Sequence, residues 1–323
     1  MKVILVTGGT GFIGSHLCTA LLKQGHRVLC VDNNSTGCMD NISECLKHDH
    51  FEFMRHDITE PLQVEVDLIY HLACPASPHA YQLNPIKTLK TNVLGTMHML
   101  GLAKRTGARI LLTSTSEVYG DPLETPQKET YWGHVNSFGE RSCYDEGKRC
   151  AESFMYAYEK YCGVDIRIAR IFNTYGPHLH KNDGRVVSTF IMQALQGHPI
   201  TLFGDGQQTR SFCYVEDTVT GLVALMASED VHGPVNIGNP QEITIAKLAR
   251  LVVMLTDSSS TLIKKQLPPD DPKRRCPDIS KARRVLGWAP TMDLKAGLLH
   301  TIYYFKTKYV QEYPKTIFKP SKN

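Results

Sequence analysis

Short runs of β-branched and aliphatic residues alternate with longer amphipathic stretches through the first half of the chain. Lys2–Val6, Arg27–Asp32, Phe51–Arg55, Asp67–Leu72, Arg109–Thr113 and Asp165–Ile171 have the length and composition of buried strands. Phe12–Gln24, Asn84–Thr106 and Ser142–Tyr161 carry apolar residues at helical spacing. Val-, Ile- and Leu-rich strands separated by helices predict an α/β fold, a Rossmann-like doubly wound parallel sheet covered on both faces. Beyond Asn173 the texture changes, and Pro and Gly punctuate "GHPITLFGDGQQTRSF", "NIGNPQEITI" and "LPPDDPKRRCPD". This predicts a smaller, loop-rich α/β substrate-binding domain rather than a continuation of the sheet. The expected domains are 1–173 and 174–323, with some chain exchanged between them. Leu294–Lys308 predicts a closing helix and "EYPKTIFKPSKN" an extended tail. No internal repeat or low-complexity linker breaks the pattern.

Composition adds exclusions. With 42% hydrophobic and 21% charged residues among 323, the chain has ample material for a core. A net charge of +4 with interspersed signs predicts neither a nucleic-acid nor a membrane partner. The first apolar run, "VILVTGG", is too short to span a bilayer, and no signal-peptide layout precedes it. The ten cysteines lack C-x-x-C spacing, and Cys18 and Cys30 fall in apolar patterns. Reduced, packed thiols are expected, with no disulfide, no metal site and a cytoplasmic location.

Gly8, Gly11 and Gly14 form G-x-x-G-x-x-G between the first strand and the helix opened by Phe12 and Ile13. Small residues there permit a tight turn and let a pyrophosphate approach amides at the helix N-terminus. Asp32 closes the second strand, where a carboxylate accepts bonds from an adenosine ribose and repels a 2′-phosphate. NAD is therefore the expected cofactor; Arg27 sits at the strand's opposite end. Asp57, after the third strand, is placed either to meet the adenine edge or to cap a helix. Asn33, Ile58, Leu72, Thr91, Thr113 and Lys148 complete the predicted cofactor-binding set.

Tyr144 and Lys148 stand four apart on a predicted helix and share a face. A free phenol has a pKa of about 10, and a nearby ammonium together with a positive nicotinamide is expected to lower it. Tyr144 then serves as the base that removes a hydroxyl proton while hydride leaves the same carbon. Thr115 follows the Arg109–Thr113 strand at the sheet edge where ligands bind, and its hydroxyl can hold the reacting alcohol. Glu117 follows two residues later, either as a solvated loop acid or as part of the site.

Together, "GGTGFIG", "HLACPASP", "NPIKTLKTN", "STSEVYGDP", "YWGHVN", "CYDEGKR", "ARIFNTYGP" and "NDGRVVS" resemble the extended short-chain dehydrogenase/reductase family of nucleotide-sugar enzymes, over nearly the whole chain. Within it, they are similar to the branch that converts UDP-glucuronate to UDP-xylose. The related 4,6-dehydratases carry Asp-Glu where this chain has Ser116-Glu117, and the 4-epimerases lack the Glu. The resemblance implies oxidation at C4 by NAD with Tyr144, loss of carbon dioxide, protonation at C5 and return of hydride. It implies Glu117 near C5, with Arg275 handling a proton or placing substrate. It further implies Asn173 and Arg210 at the diphosphate, and Arg185 and Val187 near the nucleotide. Phe203 stacks on uracil or joins the core. Lys90, and with it Lys104, are weaker substrate candidates, and Tyr158 and Tyr161 are expected as packing residues. A homodimer through a four-helix bundle of Asn84–Thr106 and Ser142–Tyr161 is implied as well. Cys74, Cys276 and Phe203 depart from the family pattern, Cys74 near the expected cofactor ribose. A 4,6-dehydratase, a 4-epimerase, release of a 4-keto pentose and an NAD-sensing non-enzyme remain the alternatives.

Overall fold

The computed structural model describes residues 1–266 and 274–310. Its first half contains β1 (Val3–Thr7), α1 (Phe12–Lys23), β2 (Arg27–Asp32), β3 (Phe51–Arg55), β4 (Leu68–His71), α2 (Pro78–Leu83), α3 (Pro85–Lys90), α4 (Thr96–Thr106), β5 (Arg109–Thr115), α5 (Ser142–Cys162) and β6 (Ile166–Ile171). The second half contains β7 (Thr174–Tyr175), α6 (Val186–Leu195), β8 (Ile200–Phe203), β9 (Thr209–Ser211), β10 (Cys213–Tyr214), α7 (Val215–Ala227), β11 (Pro234–Ile237), β12 (Glu242–Thr244), α8 (Ile245–Thr256), β13 (Leu262–Lys265), β14 (Arg274–Arg275), α9 (Ser280–Leu286) and α10 (Leu294–Phe305).

Seven parallel strands form the main sheet in the order β11-β6-β5-β4-β1-β2-β3. The order reverses at β1, which pairs with β2 on one side and β4 on the other. Such a switch point opens a crevice at the carboxyl ends of the strands. Alternation along β1 feeds two core layers: Ile4 and Val6 enter one, Leu5 the other. The first layer runs on through Phe190, Leu248, Trp288 and Leu298, so the sheet and the second half share one core.

The strand β11 corrects the expectation that the second half does not continue the sheet. It pairs with β6 from Pro234–Ile168 to Ile237–Ile171. Four residues, Pro-Val-Asn-Ile, are too short to stand out as a periodic run; their burial against β6 makes them a strand. The remaining short strands pair as β10-β7, β12-β9-β14 and β13-β8.

The predicted helix Asn84–Thr106 is interrupted by a π-helical turn, Thr91–Gly95. The Asn84 side chain caps its start by accepting from the Lys87 amide at 3.0 Å. The π turn shifts the helical phase where Thr91 enters the cleft, a placement common at functional sites. α10 ends at Phe305 and continues as a second π turn, Lys306–Val310. The expected extended tail lies outside the described residues. All ten cysteines are free thiols, and no helix among the described residues is long and apolar enough to cross a membrane.

Candidate active site

A cleft of about 900 Å³ opens along the carboxyl edge of the sheet, between the strand ends and the second half. The glycine loop forms one end. Gly8 has φ +73°, and a Cβ there would stand 2.9 Å from the backbone of Ala73. A Cβ on Gly14 would stand 2.1 Å from the Gly8 carbonyl oxygen, so α1 docks against the turn only through glycine. No side chain caps α1, and its first amides, at Phe12 and Ile13, line the cleft, as a pyrophosphate site requires. Asp32 is buried and accepts from the Thr10 amide at 3.1 Å and the Asn34 amide at 2.8 Å, which ties the loops on either side of the cofactor position. These residues fit NAD: a glycine cradle for phosphates, with a fixed carboxylate at the end of β2.

Asp57 does not cap a helix. Its carboxylate turns back on Thr59, accepts from Asn33 at 2.9 Å and meets Lys87 at 2.6 Å. Burial alone would raise its pKa, but the bonds from Lys87, Thr59 and Asn33 outweigh burial and hold it well below the usual carboxylate range. Lys87 escaped the sequence analysis, which singled out Lys90 instead. The structure corrects that choice: Lys90 is exposed and lies off the cleft, whereas Lys87 and Thr91, four apart, face into it. Lys104 is on the surface near Cys162.

At the other end β5 delivers Thr113, Thr115 and then Glu117, while α5 delivers Tyr144 and Lys148. Lys148 is buried and donates to the Thr113 carbonyl at 2.9 Å. Tyr144 lies stacked on Tyr81, with ring centroids 5.0 Å apart and planes 7° from parallel. The expected lowering of the Tyr144 pKa joined Lys148 to a positive nicotinamide; the protein's own groups act the other way. Burial pushes the phenol above its ordinary value, with the Cys74 thiol adding to the rise and Thr115 and Arg185 opposing it. Burial likewise lowers Lys148. Desolvation of the ring outweighs the opposing charge of Arg185.

Glu117 is no solvated loop acid; its side chain is only 15% exposed and bonds both Arg141 and Arg275. The second contact to Arg275, from Nη2 to Oε2, is 2.8 Å. Arg275 is nearly fully buried, and burial lowers its pKa to about 10. Its Nε, like the hydroxyl of Tyr81, is buried without a hydrogen-bond partner among the described residues. Two such donors among the residues lining the cleft suit an oxygen-rich, anionic ligand. Sequence analysis missed Arg141 and Tyr81. Arg141 stands one turn before Tyr144, a signal that was available; Tyr81 has none.

The wall of the second half brings Asn173, Arg185, Val187, Phe203 and Arg210 to the same cleft. Arg185 donates to the Ala76 carbonyl at 2.7 Å and so spans both halves. Pairing of β9 with β14 sets Arg210 beside Arg275. Phe203 is 42% exposed at the end of β8, which removes the core alternative. Tyr158 packs on the sheet core, but Tyr161 is exposed, against expectation. Cys74 lines the cleft; Cys276 is buried behind it.

Residues 4–238 match the NAD dependent epimerase/dehydratase family. UDP-glucuronic acid decarboxylase 1 of Xenopus tropicalis is 59% identical over 305 residues, which cover 94% of this chain and 72% of that protein. UDP-glucuronic acid decarboxylase 1 of Arabidopsis thaliana is 56% identical over 309 residues, covering 96% of this chain and 71% of that protein. Among solved structures, a UDP-glucuronic acid 4-epimerase from Bacillus cereus, bound to UDP-glucuronic acid and NAD, superposes with a TM-score of 0.86 at 30% identity, covering 95% of this chain and 100% of that one. A dTDP-glucose 4,6-dehydratase from Streptomyces venezuelae, with NAD bound, reaches 0.88 at 26% identity, covering 96% and 98%. Fold, cradle and family match extend together across the strands that carry the site, and the chain belongs to the NAD dependent epimerase/dehydratase family.

Proposed function

We infer that this chain decarboxylates UDP-glucuronate to UDP-xylose. The observation that carries the reading is Glu117 held between Arg141 and Arg275 beside Thr115 and Tyr144. NAD, when bound, supplies reversible hydride acceptance at C4 of the sugar. Tyr144 takes the C4 hydroxyl proton, and Thr115 orients that hydroxyl. The C5 carboxylate is then β to a ketone, so carbon dioxide leaves with its bonding electrons passing into an enolate. The buried guanidinium of Arg275 faces the developing negative charge, and C5 is reprotonated from the Glu117–Arg275 side. Net redox is zero, which makes the enzyme a lyase. Ser116 leaves the site without the acid that a departing hydroxyl needs. Purified protein incubated with UDP-glucuronate and NAD is expected to release carbon dioxide and a UDP-pentose in equal amounts; neither product appearing overturns the reading.

The same reading assigns Asn173, Arg185 and Arg210 to the diphosphate and nucleotide, Val187 to the nucleotide and Phe203 to the uracil. A homodimer belongs to it too, supported by Ile86, Leu89, Leu94 and Met97 on the α3–α4 surface and Tyr156 and Tyr161 on α5, all exposed. Light scattering of the purified protein tests it. We also place the activity in the cytoplasm, where buried thiols such as Cys18 and Cys213 stay reduced.

A further inference from the structure

We propose that Gln127 is the positioning residue that sets Arg275 against Glu117, a role that rests on the decarboxylase reading above. Gln127 is fully buried, and among the described residues it makes no hydrogen bond to Tyr144 or Lys148. Its backbone and side chain instead grip the peptide that follows Arg275. The Gln127 amide donates to the Cys276 carbonyl at 2.8 Å, and Gln127 Oε1 accepts from the Cys276 amide at 2.9 Å. The Gln127 carbonyl accepts from the Asp278 amide at 2.9 Å and from Asn236 Nδ2 at 2.9 Å.

On its other side, Gln127 Nε2 donates to the Glu124 carbonyl at 2.6 Å and to Thr125 Oγ1 at 3.1 Å. Every hydrogen-bonding site of the side-chain amide that faces protein is used, with an acceptor turned to Cys276 and donors turned to its own loop. Only a primary amide presents both at this length. β14 has two residues and pairs on one edge with β9. Gln127 supplies the restraint at its carboxyl end, on the peptide next to Arg275, the residue whose guanidinium holds Glu117.

Loosening that restraint lets Arg275 drift from the carboxylate. Misplacement of about 1 Å at a reacting group costs on the order of 100-fold. The loss falls on the steps after oxidation, because Thr115, Tyr144 and Lys148 are positioned by β5 and α5.

The test uses Gln127→Met and Gln127→Glu in the full chain with NAD. For Gln127→Met, single turnovers are expected to form reduced nicotinamide at close to the wild-type rate while carbon dioxide release falls about 10- to 100-fold. For Gln127→Glu, a protonated carboxyl keeps one donor and one acceptor, whereas an ionised one turns an acceptor toward the Glu124 carbonyl. Its carbon dioxide release relative to wild type is expected to rise as pH falls. Oxidation and decarboxylation falling in parallel in the Met variant, or a flat pH ratio in the Glu variant, overturns the positioning role. Should Gln127→Met fail to fold, the pH ratio of Gln127→Glu decides. A wild-type protein that releases no carbon dioxide overturns the decarboxylase reading itself, a separate result.

Discussion

At the end of the cleft beside β2 and β3, Asp57 meets Lys87 at 2.6 Å with the two side chains 31% and 36% exposed. At the end beyond β5, Glu117 meets Arg141 and Arg275 with the three side chains at 15%, 19% and 5%. Both carboxylates are charge-paired, yet the physical content differs. A half-exposed pair is screened and contributes little, about 0.2–1 kcal/mol. A buried pair has already lost its hydration, so each partner depends on the other, and removing one strands a charge. The rim can therefore hold a cofactor edge adjustably, while the interior keeps a fixed charge pattern for chemistry.

The largest test of that contrast is Tyr144→Phe, which keeps the stack on Tyr81 and removes only the base. A loss of about 10²–10⁴ in kcat is expected with NAD binding intact, measured by carbon dioxide release and cofactor content. Glu117→Gln comes next. It strands Arg275 in the interior, and we expect a loss of turnover together with destabilisation of about 3–5 kcal/mol in denaturant unfolding. An unchanged unfolding midpoint would show that the pair is not interdependent.

Asp32→Ala probes the cofactor end where it is buried. Removing a charged acceptor from the ribose is expected to weaken NAD about 10- to 100-fold and erode the preference over NADP, read by titration of the purified protein. Lys87→Met is the mildest, with NAD affinity falling less than tenfold and the difference shrinking at high salt. It also carries a pH signature. The folded-state pKa of Asp57 lies below its unfolded value of about 4, so the stability it confers is full above that pH and is lost as pH falls below it. Melting temperatures between pH 6 and pH 3 are expected to fall less steeply in Lys87→Met than in the native chain.

Legibility tracked locality. The alternating strands, the glycine loop, Asp32 and the four-residue step from Tyr144 to Lys148 all rest on neighbours within a turn or a strand, so their spacing in the chain carries the information. Lys87 was missed because the packing of α3 fixes which of its faces meets the cleft, and periodicity does not register that phase. Adjacency of Lys148 to Tyr144 is written in the sequence, whereas the desolvation that pushes the phenol up depends on everything packed around the ring. The short strand β11 is a strand only because β6 offers it an edge.

Residue order alone was enough for the parallel α/β plan and the dinucleotide cradle, since each is built from contacts close along the chain. Folding decided the rest. Glu117 meets Arg141 across 24 residues and Arg275 across 158, and Gln127 reaches Cys276 across 149. No spacing rule links positions that far apart; only the shared core brings them together, and burial then turns ordinary charged and amide side chains into a fixed electrostatic site.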